Sequence, residues 1–262
     1  MSLATELFSD IFARQDSRLA RIDPRAKLLV ALLTIVCVVL STRALFPLAV
    51  FVACVGLTLA HGVPARLVAL RLTAPLGIVA VLVTLQSLLT GATPLWSAEL
   101  AGWKITATRD GLANGLCIGA RVLGAVSVVL LLSSVTPAHR IFHALRWCRV
   151  PQDWVEVAVL MYRYTFTFLD LVADLTAAQR VRLGYSKCRC GLSSLGIVAG
   201  TVIIRSVDQA VHTHEAMLMR GYRGQIPFGP MAAWRARDWW LTSLAGAGVV
   251  GGFWLIEKGL AR

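Results

Sequence analysis

Residues 112–134 read LANGLCIGARVLGAVSVVLLLSS, an unbroken apolar run with a single charge, Arg121. A helix crosses a bilayer with about 20 mostly apolar residues, so this stretch is a membrane span. Four more stretches of the same kind lie on either side of it. They are Ala26–Leu40 (longer if Pro24 and Ser41 are included), Ala44–Ala60, Leu72–Thr90 and Trp239–Ile256. The short Ser41-Thr42-Arg43 turn makes the first two a helical hairpin. Asp23-Pro24 sets a capping acceptor before a proline in the first helical turn, the usual chemistry of a helix start. Trp239, Trp240 and Trp254 sit near the ends of the last span, where indole rings suit the membrane–water interface. Gly246, Gly248, Gly251 and Gly252 within it favour close helix packing.

Composition agrees. Of 262 residues, 57% are hydrophobic and 15% charged, against about 25% charged in a soluble domain; the mean hydropathy is +0.69. These values exclude a water-soluble single domain and a disordered chain. Six cysteines scattered through a long apolar chain argue against a secreted disulfide scaffold. The first 25 residues lack the apolar core and cleavage site of a signal peptide. Leu3, Leu7, Phe8, Ile11 and Phe12 instead suit an interfacial amphipathic helix.

The formal net charge is +12, and its distribution sets the orientation. Cations gather on the cytoplasmic side of membrane proteins. Threading five spans with the N-terminus in the cytoplasm puts 20 of the 26 Lys and Arg residues inside and five outside, with Arg121 in the fourth span. The chain therefore divides into a cytoplasmic N-terminal segment (1–25), four spans (26–134), a cytoplasmic segment (135–237) and a C-terminal span (238–262).

The segment 135–237 is too long to be a mere connection. Thr136-Pro137 starts a short helix that runs to about Trp147, and Val150-Pro151 breaks it. From Gln152 to about Gly184 there is no internal Pro or Gly, and Val157, Leu160, Tyr164, Phe168, Leu171 and Leu175 form a stripe at helical spacing. A basic loop, Cys188–Gly191, leads to a second long helix, from about Leu192 to Arg220, with Ile197, Ile204, Val211 and Leu218 at seven-residue steps. Two long helices joined by a short loop pack on each other. Arg163, Asp170 and Asp174 in the first and Arg205, Asp208, His212, His214 and Glu215 in the second argue against a place in the bilayer, where charges are costly.

The two helices end alike, in Val181-Arg182-Leu183-Gly184-Tyr185 and Met219-Arg220-Gly221-Tyr222. The glycines are expected to stop the helices, and arginine suits the negative end of a helix dipole. Both features also fit plain, well-capped helices.

Here the chain resembles a family. Met219-Arg220-Gly221 is similar to the second of two Ala-Arg-Gly-like triplets in the transmembrane T component of energy-coupling factor (ECF) transporters. Val181-Arg182-Leu183 stands where the first would be and departs from it at two of three positions. Asp23-Pro24-Arg25-Ala26-Lys27-Leu28 is similar to the family's DPRxKL signature. Val150-Pro151 and Met161-Tyr162-Arg163-Tyr164 also look like family segments. Length and style resemble the cobalt-transport CbiQ group, and the nickel group is closely similar.

The resemblance implies an all-α membrane protein with about five transmembrane helices and a cytoplasmic coupling domain of two long packed helices. It implies a non-enzymatic subunit of the bacterial inner membrane that imports cobalt with its partners; a nickel or vitamin cargo is the alternative. The partners implied are cytosolic ATP-binding cassette ATPases and a metal-binding membrane S component, with no nucleic acid and no cofactor. The coupling residues implied are Arg182, Arg220, Leu183, Met219 and Gly221.

Other constellations are weaker. Arg121, with Asn114 seven residues earlier, is an intramembrane charge that suits a helix interface. His139 and His143, His212 and His214, and Cys148, Cys188 and Cys190 form no four-ligand metal pattern, and no metal site is expected. There is no P-loop, G-x-S-x-G or H-E-x-x-H motif. A membrane enzyme acting on lipid phosphates would need paired acidic clusters for Mg²⁺, and only Asp170 and Asp174 make such a pair.

Overall fold

The computed structural model describes residues 23–89, 94–100, 103–148, 150–226 and 236–259. The expected N-terminal amphipathic helix lies outside them, as do the side chains of His139 and His143. The described residues fall into two compact units, one within Leu145–Ala232 and the other within Thr5–Ala144 together with Ala233–Arg262.

In the second of these, α1 (Pro24–Leu40) starts as expected: the Asp23 side chain accepts the Arg25 N–H at 3.0 Å, with Pro24 at the first helical position. Ser41 closes it, its N–H donating to Cys37 O at 3.0 Å and its hydroxyl to Arg43 O at 2.9 Å. The turn leads into α2 (Leu45–Ala60). The third helix, α3 (Ala65–Leu89), begins seven residues before the span read from sequence and carries Pro75 inside it. Pro64 explains the early start, because its carbonyl accepts the N–H groups of Leu67 and Val68 and so opens the first turn.

Between α3 and α4 (Arg109–Val135) the expected loop is an antiparallel hairpin of β1 (Pro94–Leu100) and β2 (Trp103–Thr108), pairing Leu100 with Trp103 and Ala98 with Ile105. The alternation Trp103-Lys104-Ile105-Thr106 is a two-residue period, the pattern of a strand. Apart from this hairpin the described fold is α-helical, with α5 (Ala138–Trp147), α6 (Gln152–Val181), α7 (Cys188–Met219) and α8 (Ala236–Gly259) completing it.

Glycines let α4 approach its neighbours. A Cβ on Gly124 would fall 2.9 Å from Pro47 O and 3.3 Å from a Val38 methyl, and one on Gly115 would fall 3.1 Å from Val83 Cα. Small residues bring membrane helices into backbone contact in this way. The glycines of α8 differ among themselves: Gly246 faces Leu33, whereas Gly248 and Gly251 face open space. Cys37, Val38 and Phe46 form a core with Val50, Ala125, Val249, Phe253 and Ile256 around it. Phe46 and Phe253 meet edge to face, 5.4 Å between centroids. At this end Glu257 accepts the N–H and hydroxyl of Thr42. The C-terminal ends of α1 and α8 therefore lie together, and the two helices run parallel.

Residues 65–88, 109–135 and 238–258 are long and apolar enough to cross a membrane, and α2 is a shorter apolar helix. The chain is a multi-pass membrane protein. By length and composition α7 qualifies as well, although the sequence reading puts it in the cytoplasm.

Gly124→Ala is expected to cost about 1–3 kcal/mol, because the added carbon meets a backbone oxygen that cannot swing away. The loss reads out as a lower melting temperature of the purified chain in detergent. Gly248→Ala, in open space, should leave it unchanged.

Candidate functional site

Both long helices end in the same hydrogen-bonded motif. In α6 the Gly184 N–H donates back to Gln179 O at 2.9 Å and the Leu183 N–H to Arg180 O at 3.0 Å. In α7 the Tyr222 N–H donates to Met217 O at 3.0 Å and the Gly221 N–H to Leu218 O at 2.9 Å. This is the paired bonding of a Schellman terminus. It puts Arg182 and Arg220 at the equivalent capping position, with φ,ψ of −81°,12° and −90°,9°.

Both arginines are exposed, and among the described residues neither guanidinium has a hydrogen-bond or ion-pair partner. Apolar side chains surround them in solvent. Val181 is 85% exposed, Leu183 73% and Met219 89%.

The residue after each arginine must turn left-handed. In α7 that residue is Gly221, at φ +81°, as expected. In α6 it is Leu183, at φ 58°, and this corrects the reading of Gly184 as the stop. Gly184 is needed for another reason: a Cβ there would fall 2.3 Å from Ser194 Oγ. Ser194, buried in α7, donates to Gly184 O at 3.0 Å. The sequence also misplaces the start of α7. Cys188–Gly191 is its first turn rather than a loop, with extended Lys187 at the N-cap.

Three ties fix one antiparallel register between the helices. Ser194 meets Gly184; the hydroxyls of Tyr164 and Thr213 lie 2.7 Å apart; and Tyr222 reaches Glu156. Glu156 is buried near the start of α6. Its Oε1 accepts the Ile226 N–H and the Gln152 side-chain amide, each at 2.8 Å. Partial burial, and then this carboxylate, raise the Tyr222 phenol above its ordinary pKa, so it stays protonated and donates. The register sets Arg182 across from about Gly196. At 1.5 Å per residue the two arginines then stand about 36 Å apart along the hairpin.

The expected apolar stripe of α7 is not its packing face. Ile197, Ile204, Val211 and Leu218 are all exposed, while Ser194 and Val198 are buried. The hydrogen bonds between the helices come from small and polar groups, with Val198 buried beside them, and the apolar stripe has no partner within the described residues. On α6 the expected stripe holds from Leu160 through Tyr164, Phe168, Leu171 and Leu175, which are all half-buried, and fails at its first member: Val157 is exposed, and Val155 and Glu156 are buried in its place. Glu156 is the residue that sequence reasoning missed. Its signal was an acid flanked by two valines in Val155-Glu156-Val157.

Arg121 is half-buried on α4, with Nε sealed from solvent and without a hydrogen-bond partner among the described residues. Asn114 is exposed. The two share a helix, but no bond between them is observed. Among the described residues no three His, Cys, Asp or Glu side chains gather to hold a metal ion. Cys148, Cys188 and Cys190 are exposed free thiols, and Asp170 and Asp174 point to solvent.

Comparison with known proteins is consistent with these elements. Residues 15–228 match the model of the CbiQ family, described as cobalt transport protein. An uncharacterized protein of Methanocaldococcus jannaschii is 29% identical over 80% of this chain and 79% of its own length. A cobalt transport protein CbiQ of Rhodobacter capsulatus is 31% identical over 45% of this chain and 48% of its own. An energy-coupling factor transporter transmembrane protein EcfT of Lactobacillus helveticus is 24% identical over 85% and 83%.

Leu183→Gly is expected to stabilise the chain by about 1 kcal/mol, because a left-handed leucine costs about 1–2 kcal/mol. Glu156→Ala removes the acceptor shared by the Ile226 N–H and the Gln152 amide, a loss of about 0.5–1.5 kcal/mol for each bond. Thermal melts of the two variants in detergent should therefore move in opposite directions.

Proposed function

The chain belongs to the CbiQ family of cobalt transport proteins, and on that premise we propose that it is the transmembrane energy-coupling subunit of an ECF-type ABC transporter importing cobalt ions. The family is a membrane component of transporters, and nothing in this reading requires catalysis by the chain itself. Its task is to link ATP hydrolysis by cytosolic ATPase subunits to movement of a separate, substrate-binding membrane subunit.

One observation carries the reading. Two exposed arginines, without partners among the described residues, stand at matched helix termini, each beside exposed apolar side chains. A guanidinium fork on a carboxylate or a backbone carbonyl is directional and contributes about 1.5–3 kcal/mol. Met217, Leu218 and Met219 beside Arg220 supply apolar packing that adapts to a partner surface. In this mechanism Arg182 and Arg220 each enter a groove on one ATPase, with Leu183, Met219 and Gly221 shaping the contact. ATP-driven closure of the ATPase pair displaces both tips. The ties at Gly184, Tyr164 and Glu156 make the hairpin move as one body. The unpartnered apolar stripe of α7 is the surface we assign to the substrate-binding membrane subunit.

The orientation follows from charge. With the N-terminus cytoplasmic, in the inner membrane of a bacterium, α6 and α7 lie on the side where ATP is found. Arg121 and Asn114 belong in this reading to an interface within the membrane rather than to a transport path. A metal ion would be held by the substrate-binding subunit, and nickel or a vitamin remains the alternative cargo.

Arg182→Glu and Arg220→Glu are each expected to weaken co-purification with the ATPase about tenfold or more, and the double variant should abolish cobalt uptake by cells carrying the whole transporter. Undiminished uptake in the double variant would sink the proposal. Uptake of nickel in place of cobalt by the wild-type complex would keep the mechanism and change the cargo.

A further inference from the structure

The membrane helices are tightly packed at one end and apart at the other. At the Ser41 and Glu257 end, Val38, Phe46 and Phe253 fill the space between α1, α2 and α8. Toward the opposite end a cavity of about 350 Å³ opens between α1, α2, α4 and α8. It follows α1 from Ala26 to Thr34, bordered by Leu57, Val135 and Leu241 near one end and by Val50, Val128 and Val249 near the other. Its walls carry two hydroxyls, and both are turned back on their own helices: Thr34 donates to Val30 O at 2.7 Å and Thr242 to Asp238 O at 2.6 Å. What remains is an apolar slot with one charged group, Lys27, at its end.

The lining selects the tail. The run from Ala26 to Thr34 is about 12 Å long at 1.5 Å per residue, and its walls, drawn from four helices, are apolar along that length. An alkyl chain suits such a slot.

Charge selects the head. Lys27 is half-buried and has no hydrogen-bond or ion-pair partner among the described residues. The nearby carboxylate of Asp23 is already engaged with the Arg25 N–H and guanidinium. The parallel helices α1 and α8 both start at this end, so their positive dipole ends add to the field. We propose that this slot is a binding site for an acidic phospholipid, with one acyl chain lying between α1, α2, α4 and α8 and the phosphate against Lys27. It is independent of the coupling role assigned to α6 and α7.

The test is native mass spectrometry of the full chain purified in detergent and titrated with palmitoyl-oleoyl phosphatidylglycerol or with the phosphatidylcholine of the same chains. The wild type should hold one phosphatidylglycerol in preference to phosphatidylcholine. Lys27→Gln should reduce that preference about fivefold, the effect of one cation near a lipid surface, while a bound chain is still detected. Lys27→Arg should retain the preference. Ala31→Phe, which fills the slot, should remove the bound lipid, and an unchanged melting temperature will certify its fold. Equal retention of both lipids by the wild type, or a preference untouched by Lys27→Gln, would overturn the site. So would loss of association with the substrate-binding subunit in Ala31→Phe with lipid retention unchanged.

Discussion

The carboxylate of Glu156 is the junction on which the helical hairpin depends. It gathers a backbone N–H from Ile226, an amide from Gln152 and the phenol of Tyr222, so the chain leaving α7 is bound to the start of α6. Together with Ser194 on Gly184 at the far end, it fixes where each helix stops relative to the other. Hydrogen bonds suit this purpose better than apolar contact. Greasy side chains tolerate sliding, whereas a buried acceptor that loses its donors costs about 1–3 kcal/mol for each group left unsatisfied. The register is held by polar ties, and the apolar surface of α7 is left available.

The membrane unit solves the opposite problem. Lipid offers little hydrophobic drive for helices to associate, so shape must supply the attraction. Gly115 and Gly124 on α4 give that shape by letting backbone meet backbone. The Phe46–Phe253 contact and the Thr42–Glu257 bonds close one end of the bundle. The other end is left to whatever fills it.

Much of this was legible in the residues. Long apolar runs located α3, α4 and α8, each long and apolar enough to cross a membrane, Asp23-Pro24 located the first cap, and the paired arginines marked the termini of α6 and α7. What was not legible has a common cause. Sequence patterns assume that apolar faces are buried within the same chain. In α7 the face of Ile197, Ile204, Val211 and Leu218 is exposed, and the packing face carries Ser194 and Thr213, which no hydrophobic periodicity would select. Leu183 was missed for a related reason, because a left-handed terminus is read from glycine, and the nearest glycine was serving Ser194. The β1–β2 hairpin was hidden by the brevity of its strands, seven and six residues long, each less than half the length of any of the membrane helices beside it.

Two antiparallel helices of similar length, each ending in the same turn with an arginine at the same capping position, are related by an approximate twofold axis through the middle of the hairpin. One chain thus offers two nearly equivalent ends without being a dimer. A pair of identical subunits, whose own axis is a true twofold, can meet both ends of such a hairpin with the same surface. The left-handed residue is where the equivalence fails, leucine at one end and glycine at the other, so a pseudosymmetric hairpin still distinguishes its left hand from its right.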